Sequence, residues 1–358
     1  MSELFRRGYP VFLGRNQDER TTEAIPGMDM VVLPRLSWKP DDHHLGIGWR
    51  EQLHAMGVAM VFEWDDDVFL DRINARAADV YREEGRTVEE WDVDRQSRIF
   101  AVQIADGITC STQRLATRLR TITDKPVKVV GNYIDLAWWR SIQSTVQRGL
   151  PEPVIGWAGG RRPDRDCEPM AEAWANVARR HPEARFVVAG WQPAIFSRIP
   201  ERQLLLSEWL PVLEYPKNYT GIDIACCPLA DEPFNRAKTP IKAMEFAASG
   251  SAVVASPTVY GQLVKHGETG YLAESVADWE WAIEDLLKSR KRRLRMARRL
   301  LKVVERDWSL EANAHRWVAA WSDILLDFHE RQGRNVADVI LPPASPVATG
   351  TDAWRASE

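Results

Sequence analysis

The densest chemistry lies in Pro233-Phe234-Asn235-Arg236-Ala237-Lys238-Thr239-Pro240-Ile241-Lys242-Ala243-Met244-Glu245-Phe246-Ala247-Ala248-Ser249-Gly250. Thr239 suits an N-cap and Pro240 the first helical position, so a helix is predicted to begin there and to stop at Gly250. A helix N-terminus presents unpaired N–H groups and the positive end of a dipole. Arg236 and Lys238 immediately before it would make an anion site. Glu245 falls about a turn and a half further in, on the face shared with Lys242. There its carboxylate could accept hydrogen bonds from two vicinal hydroxyls, such as those of a ribose. A capped surface helix with a Lys-to-Glu pair accounts for the same residues without any ligand.

A second constellation is Glu63-Trp64-Asp65-Asp66-Asp67, directly after a predicted strand. Asp65 and Asp67 have the spacing to hold a divalent cation, but helix capping and solvated charge explain them as well. His43 and His44 follow Asp41 and Asp42 on an expected glycine-containing loop, where they could contact a ligand or simply be solvated. No two of the seven histidines are four residues apart, so no zinc site is expected. The stretch from Lys288 to Arg306 carries ten Lys or Arg and a single acid, Glu305. A helix there could meet an anionic lipid or nucleic acid, or could pack on its domain with a solvated basic face. Cys226 and Cys227 adjoin each other within an apolar run and read as small core residues. With four cysteines and no C-x-x-C pair, a reducing, cytoplasmic setting is expected.

Short β-branched runs alternating with longer amphipathic stretches must position these groups, a pattern that predicts an α/β fold with parallel sheets. Strands are expected at 30–34, 58–63, 107–111, 127–130, 154–158, 184–189, 222–228, 252–255 and 270–272, with a last long helix over 308–330. The Gly and Pro punctuation around 148–153 suggests a boundary, giving one domain over 1–148, a second over 149–330 and a tail over 331–358 expected to be poorly ordered. A chain of 358 residues with 45% hydrophobic and 27% charged content can support two such domains. Its net charge of −4 argues against a globally basic nucleic-acid binder. No stretch of 18 apolar residues suggests a membrane span.

The run from Phe234 to Ala255, with Gly270 to Leu272 behind it, resembles the donor-binding region of the retaining GT-B glycosyltransferases of family 4. Ile155-Gly156-Trp157-Ala158-Gly159-Gly160 resembles the first strand and glycine turn of that family's C-terminal domain. Asp106 to Thr112 and Val129 to Asp135 resemble its last two N-terminal strands. The resemblance implies two Rossmann-like doubly wound domains facing a cleft, a nucleotide diphosphate sugar as donor, and no required metal or cofactor. It implies that Glu245 binds the donor ribose and that Lys238 sits on the diphosphate, joined by basic residues after Gly160, for which Arg161, Arg162 and Arg165 are all available, Arg161 and Arg162 being taken with Lys238 as the catalytic candidates. Gly159, Gly160, Arg165, Asn235, Arg236, Thr239 and Lys242 would complete the donor site, with Asp65, Asp66, Asp67, His43 and His44 on the acceptor side. The acceptor itself, whether glycan, lipid-linked, protein or nucleic acid, is left open. The chain departs from the family's two glutamates separated by seven residues, because the position eight before Glu245 is Ala237, and Asp231 and Glu232 are out of register. A polymer-modifying transferase using residues 288–306, or a silent nucleotide-binding scaffold, are the alternative expectations.

Overall fold

The computed structural model describes residues 27–143, 153–160 and 164–334. Arg161, Arg162 and the tail from 335 onward therefore lie outside the described residues. In chain order the elements begin β1 (Met30–Pro34), α1 (His43–Ala55), β2 (Ala59–Trp64), α2 (Ala75–Glu83), α3 (Val88–Ile104), β3 (Gly107–Cys110), α4 (Gln113–Leu119), β4 (Val127–Val129) and α5 (Leu136–Gln143). They continue with β5 (Val154–Gly159), α6 (Asp164–Arg180), β6 (Arg185–Gly190), β7 (Leu204–Ser207), β8 (Ile224–Cys227), α7 (Ile241–Ala248), β9 (Ala252–Ala255) and α8 (Pro257–Tyr260). Last come β10 (Gly270–Leu272), α9 (Val276–Leu287), α10 (Arg290–Val303) and α11 (Leu310–Arg331). Every expected strand forms within about two residues of its expected ends, the ordinary scatter of boundaries. β7 and α2 are additions.

The chain divides into two compact units. The first comprises Met1–Asp65, Asp92–Val130 and Asn313–Glu358, and the second Asp66–Trp91 and Gly131–Ala312. Residues 131–143 thus group with the second unit, and most of α11 with the first.

The first unit holds a four-stranded parallel sheet in the order β1-β2-β3-β4. Ala59 and Val61 of β2 pack against Ile324, Leu325 and Phe328 of α11. Gly107 of β3 has no side chain to obstruct that helix, and a Cβ there would come within 2.5 Å of Ile324. On α1, His54 donates to the buried Asp106 carboxylate at 2.9 Å, which also accepts from the Met60 amide at 2.8 Å. This ties helix, strand and turn together.

The second unit holds a six-stranded parallel sheet in the order β10-β9-β8-β5-β6-β7. Two apolar clusters cover it: Trp174, Phe186, Ile224, Trp279 and Ile283 belong to one, and Tyr219, Ala225, Phe246, Val253 and Leu300 to the other. Cys226 and Cys227 sit one in each, as alternation along a strand requires. All four cysteines are buried and unbridged, and burial pushes the Cys110 and Cys226 thiols up to about 12. After β5 the chain builds outward through β6 and β7, then returns to lay β8 on the other side of β5. That reversal creates a topological switch point at the carboxyl ends of β5 and β8, where open α/β sheets bind ligands.

Beside the switch point, Gly190 ends β6 at φ +90°, and a Cβ there would lie 2.6 Å from the Gly159 carbonyl oxygen and 2.8 Å from the Trp209 ring. Gly190→Ala is expected to cost roughly 2–4 kcal/mol through strain and overlap. A melting temperature equal to that of the wild type would contradict this close packing.

Candidate functional site

Two loops meet at the switch point, one from β5 to α6 and one from β8 to α7. Asp166, in the first turn of α6 and only 3% exposed, accepts from the Ala230 amide at 3.1 Å and from the Asn235 side-chain amide at 3.0 Å. Asn235 also donates to the Ala230 carbonyl and the Glu232 carboxylate, while its own oxygen accepts from Lys238 Nζ at 2.9 Å. Lys238 Nζ lies 4.5 Å from the centre of the Phe234 ring, within cation–π range. Arg165 pairs with Glu232. Burial lifts the Glu232 carboxyl above its usual range; the Arg165 charge opposes the shift and the Asp166 charge adds to it. The cluster therefore holds two cations, two carboxylates and one amide. An incoming polyanion could compete with Glu232 for Arg165 and with Asn235 for Lys238. The loop behind it is held by Ser256, whose Oγ accepts from the Leu229 amide at 2.9 Å, and by Thr258, which donates to the Leu229 carbonyl.

The second centre lies on α7. Glu245, 8% exposed, accepts through Oε2 from the Tyr219 hydroxyl at 2.6 Å and from Lys242 Nζ at 3.1 Å. Lys242 also donates to the hydroxyls of Tyr219, at 2.7 Å, and Tyr215. Trp209 packs against Tyr215 with ring centroids 5.6 Å apart and reaches back over Gly190 and Gly160. It is 56% exposed, an open aromatic surface next to the strand ends.

The structure brings Arg165, Asn235 and Lys238 together, and places Lys242 with Glu245. It departs from expectation at Thr239. The helix starts at Ile241 with Pro240 as its cap, which has no side-chain acceptor, and the Thr239 hydroxyl accepts from the Asn132 amide at 3.2 Å. Arg236 turns away to an exposed pair with Asp231. Gly159 and Gly160 do close the β5 end, and Gly159 accepts from the Trp191 amide at 2.9 Å.

On the expected acceptor side, His43 and His44 open α1 and are not loop residues. The His43 ring stacks on Phe100 at 3.6 Å, and His44 Nδ1 bonds to the Asp41 carbonyl. Asp65 pairs with Arg35 and falls in the first unit, whereas Asp66 and the buried Asp67 fall in the second. Among the described residues, no group of three or more His, Cys, Asp or Glu is positioned to hold a metal ion.

Sequence reasoning missed Asp166, Tyr215 and Tyr219 and set Glu232 aside as out of register. Trp139 and Trp157 are core, whereas Trp191, directly after Gly190, and Trp209, over Gly160 and Gly190, are exposed. A tyrosine pair four residues apart before a strand was the available signal.

Residues 152–289 match the family model for glycosyl transferases group 1. TuaH of Bacillus subtilis (strain 168), named as a teichuronic acid biosynthesis glycosyltransferase, is 27% identical over 178 residues, which is 45% of this chain and 43% of TuaH. The match thus spans less than half of that relative. Anabaena Alr3699/HepE, solved with UDP and glucose, superposes with a TM-score of 0.58 at 13% identity, covering 82% of this chain and 78% of its own. Sucrose-phosphate synthase from Thermosynechococcus elongatus gives 0.55 at 16% identity over 84% of this chain and 75% of its own.

The Lys242 centre carries a pH signature. Burial alone would depress the Lys242 ammonium, but the Glu245 carboxylate and the Tyr215 hydroxyl outweigh it and hold it above its ordinary value. Burial, followed by the Glu245 charge, raises both Tyr215 and Tyr219. All three groups hold their protons more tightly folded than unfolded. Their contribution is therefore complete below about pH 10 and lost as pH rises through the folded values. Melting temperature is expected to fall more steeply above about pH 10 in the wild type than in Tyr215→Phe/Tyr219→Phe, and parallel curves would contradict the assignment.

Two units, each built on a parallel sheet, make this a chain of GT-B glycosyltransferase fold whose residues 152–289 are similar to the glycosyl transferases of group 1.

Proposed function

We propose that the chain is a glycosyltransferase that moves a sugar from a nucleoside diphosphate sugar to an acceptor hydroxyl, with retention at the anomeric carbon. The observation that carries the reading is the placement of Lys238, Arg165 and Asn235 at the switch point, with Glu245 projecting from the helix that follows. Charge develops on the diphosphate as the glycosidic bond breaks. Lys238 and Arg165 are the cations at hand to stabilise it, with Arg161 and Arg162 proposed to join them. Glu245, held by Tyr219 and Lys242, would turn its other oxygen to the ribose hydroxyls. Retention rests on the resemblance of the 234–255 segment, and the scheme asks for no side-chain nucleophile, metal or cofactor. A glycan acceptor is supported by the similarity to TuaH, and a UDP-type donor by HepE, solved also with UDP-glucose. Asp65, Asp66, Asp67, His43 and His44 remain the proposed acceptor-side groups. A cytoplasmic location is consistent with four unbridged thiols. No described helix is long and apolar enough to cross a membrane.

Calorimetric titration with UDP, GDP and TDP is expected to show binding of one nucleotide, weakened at least roughly tenfold by Glu245→Ala through loss of a charged acceptor. Absence of binding by all three would remove the transferase reading. Lys238→Ala is expected to lower kcat by roughly 10²- to 10³-fold with little change in KM, because the interaction grows as the leaving group charges. An equal loss in ground-state binding would exclude that role.

A further inference from the structure

We propose that the outward face of α10 is a docking surface for an anionic lipid bilayer. Lys291, Arg295, Arg298, Arg299 and Lys302 are all exposed and recur at helical spacing, forming one stripe roughly 16 Å long. Arg293, Met296, Ala297 and Leu300 on the opposite face are buried in the domain. With Leu294, the five cations line a groove of about 380 Å3.

The stripe has no counter-charge of its own. Among the described residues no ion pair reaches any of the five, although acids stand near both ends of the helix. Asp285 is taken by Arg292, Glu284 by Arg180, Glu305 by Arg140 and Asp307 by Arg306. Like charges one turn apart destabilise a helix, so the arrangement is unfavourable until an external anionic surface neutralises it.

The chemistry of the face selects the partner. Residues 290–303 include no aromatic ring to stack on a single strand, and the chain as a whole is acidic, with a net charge of −4. Lipid headgroups ask only for point charges along a plane, and clustered Lys and Arg meet that demand. An exposed indole stands on the neighbouring helix α9. Trp281, 54% exposed on α9, packs on Tyr271, whose hydroxyl donates to Asp285 at 2.6 Å, and Asp285 in turn holds Arg292. Indoles favour the headgroup layer. Since the apolar side of α10 is already buried, the contact is electrostatic, with no insertion of the helix.

The test is co-sedimentation of the full chain with vesicles of phosphatidylcholine alone or mixed with phosphatidylglycerol. Binding is expected only to the anionic vesicles, falling away between about 0.05 and 0.5 M salt. Arg295→Glu/Arg298→Glu/Lys302→Glu is expected to weaken it by at least roughly 100-fold, given about fivefold per cation. The triple lysine variant Arg295→Lys/Arg298→Lys/Arg299→Lys is expected to bind as the wild type does. The melting temperature of the glutamate variant controls for folding, and the lipid and salt dependence of the wild type needs no variant. Equal binding to neutral vesicles, no binding to anionic ones, an unaffected and folded glutamate variant, or tighter binding to a duplex oligonucleotide than to the vesicles would each overturn the proposal.

Discussion

The buried carboxylate of Asp166 is the constraint on which the candidate site depends. It lies within the first turn of one helix and accepts from the backbone and side chain of a loop more than sixty residues away in sequence. A buried carboxylate stripped of donors is costly, so the loop must come to it. Once Asn235 is captured, its remaining groups are committed to Ala230, Glu232 and Lys238, and the lysine position follows. The two loops converge there because the strand order reverses between β5 and β8. The sheet supplies the location and Asp166 the geometry.

The Glu245 centre obeys different physics. A glutamate and a lysine one turn apart on an exposed helix would be worth a few tenths of a kcal/mol. Here the pair is largely buried, and two tyrosine hydroxyls take up the capacity that water would otherwise satisfy. Removing one partner of such an arrangement leaves an uncompensated charge, so the four groups stand or fall together. A carboxylate held this way is pre-oriented, which suits a group that must accept hydrogen bonds from a ligand without reorganising.

The two centres handle charge in contrasting ways. Around Asn235 the cations already have partners that a polyanion can replace, while no ion pair among the described residues reaches the five cations of the outward α10 stripe. The first arrangement favours a selective ligand and the second an extended surface. Arg236 and Arg292 show the default fate of an arginine on this protein, a pair with a nearby acid.

Much of the architecture was determined by the sequence alone. A β-branched run such as Val253-Val254, flanked by Ala252 and Ala255, can bury only as a central parallel strand, and the helix bearing Lys242 and Glu245 is marked by proline before it and glycine after it. β7 escaped notice because Leu204-Leu205-Leu206 lacks the β-branched signature and lies at the sheet edge, where pairing with β6 alone makes it a strand. Tertiary structure decided which polar groups meet. Nothing local distinguishes Arg165, which joins the site, from Arg236, which leaves it, nor reveals that Tyr215 and Tyr219 close over Lys242. Those outcomes follow from burial and from strand order, which bring together groups far apart in the chain, and neither is encoded in any short window of residues.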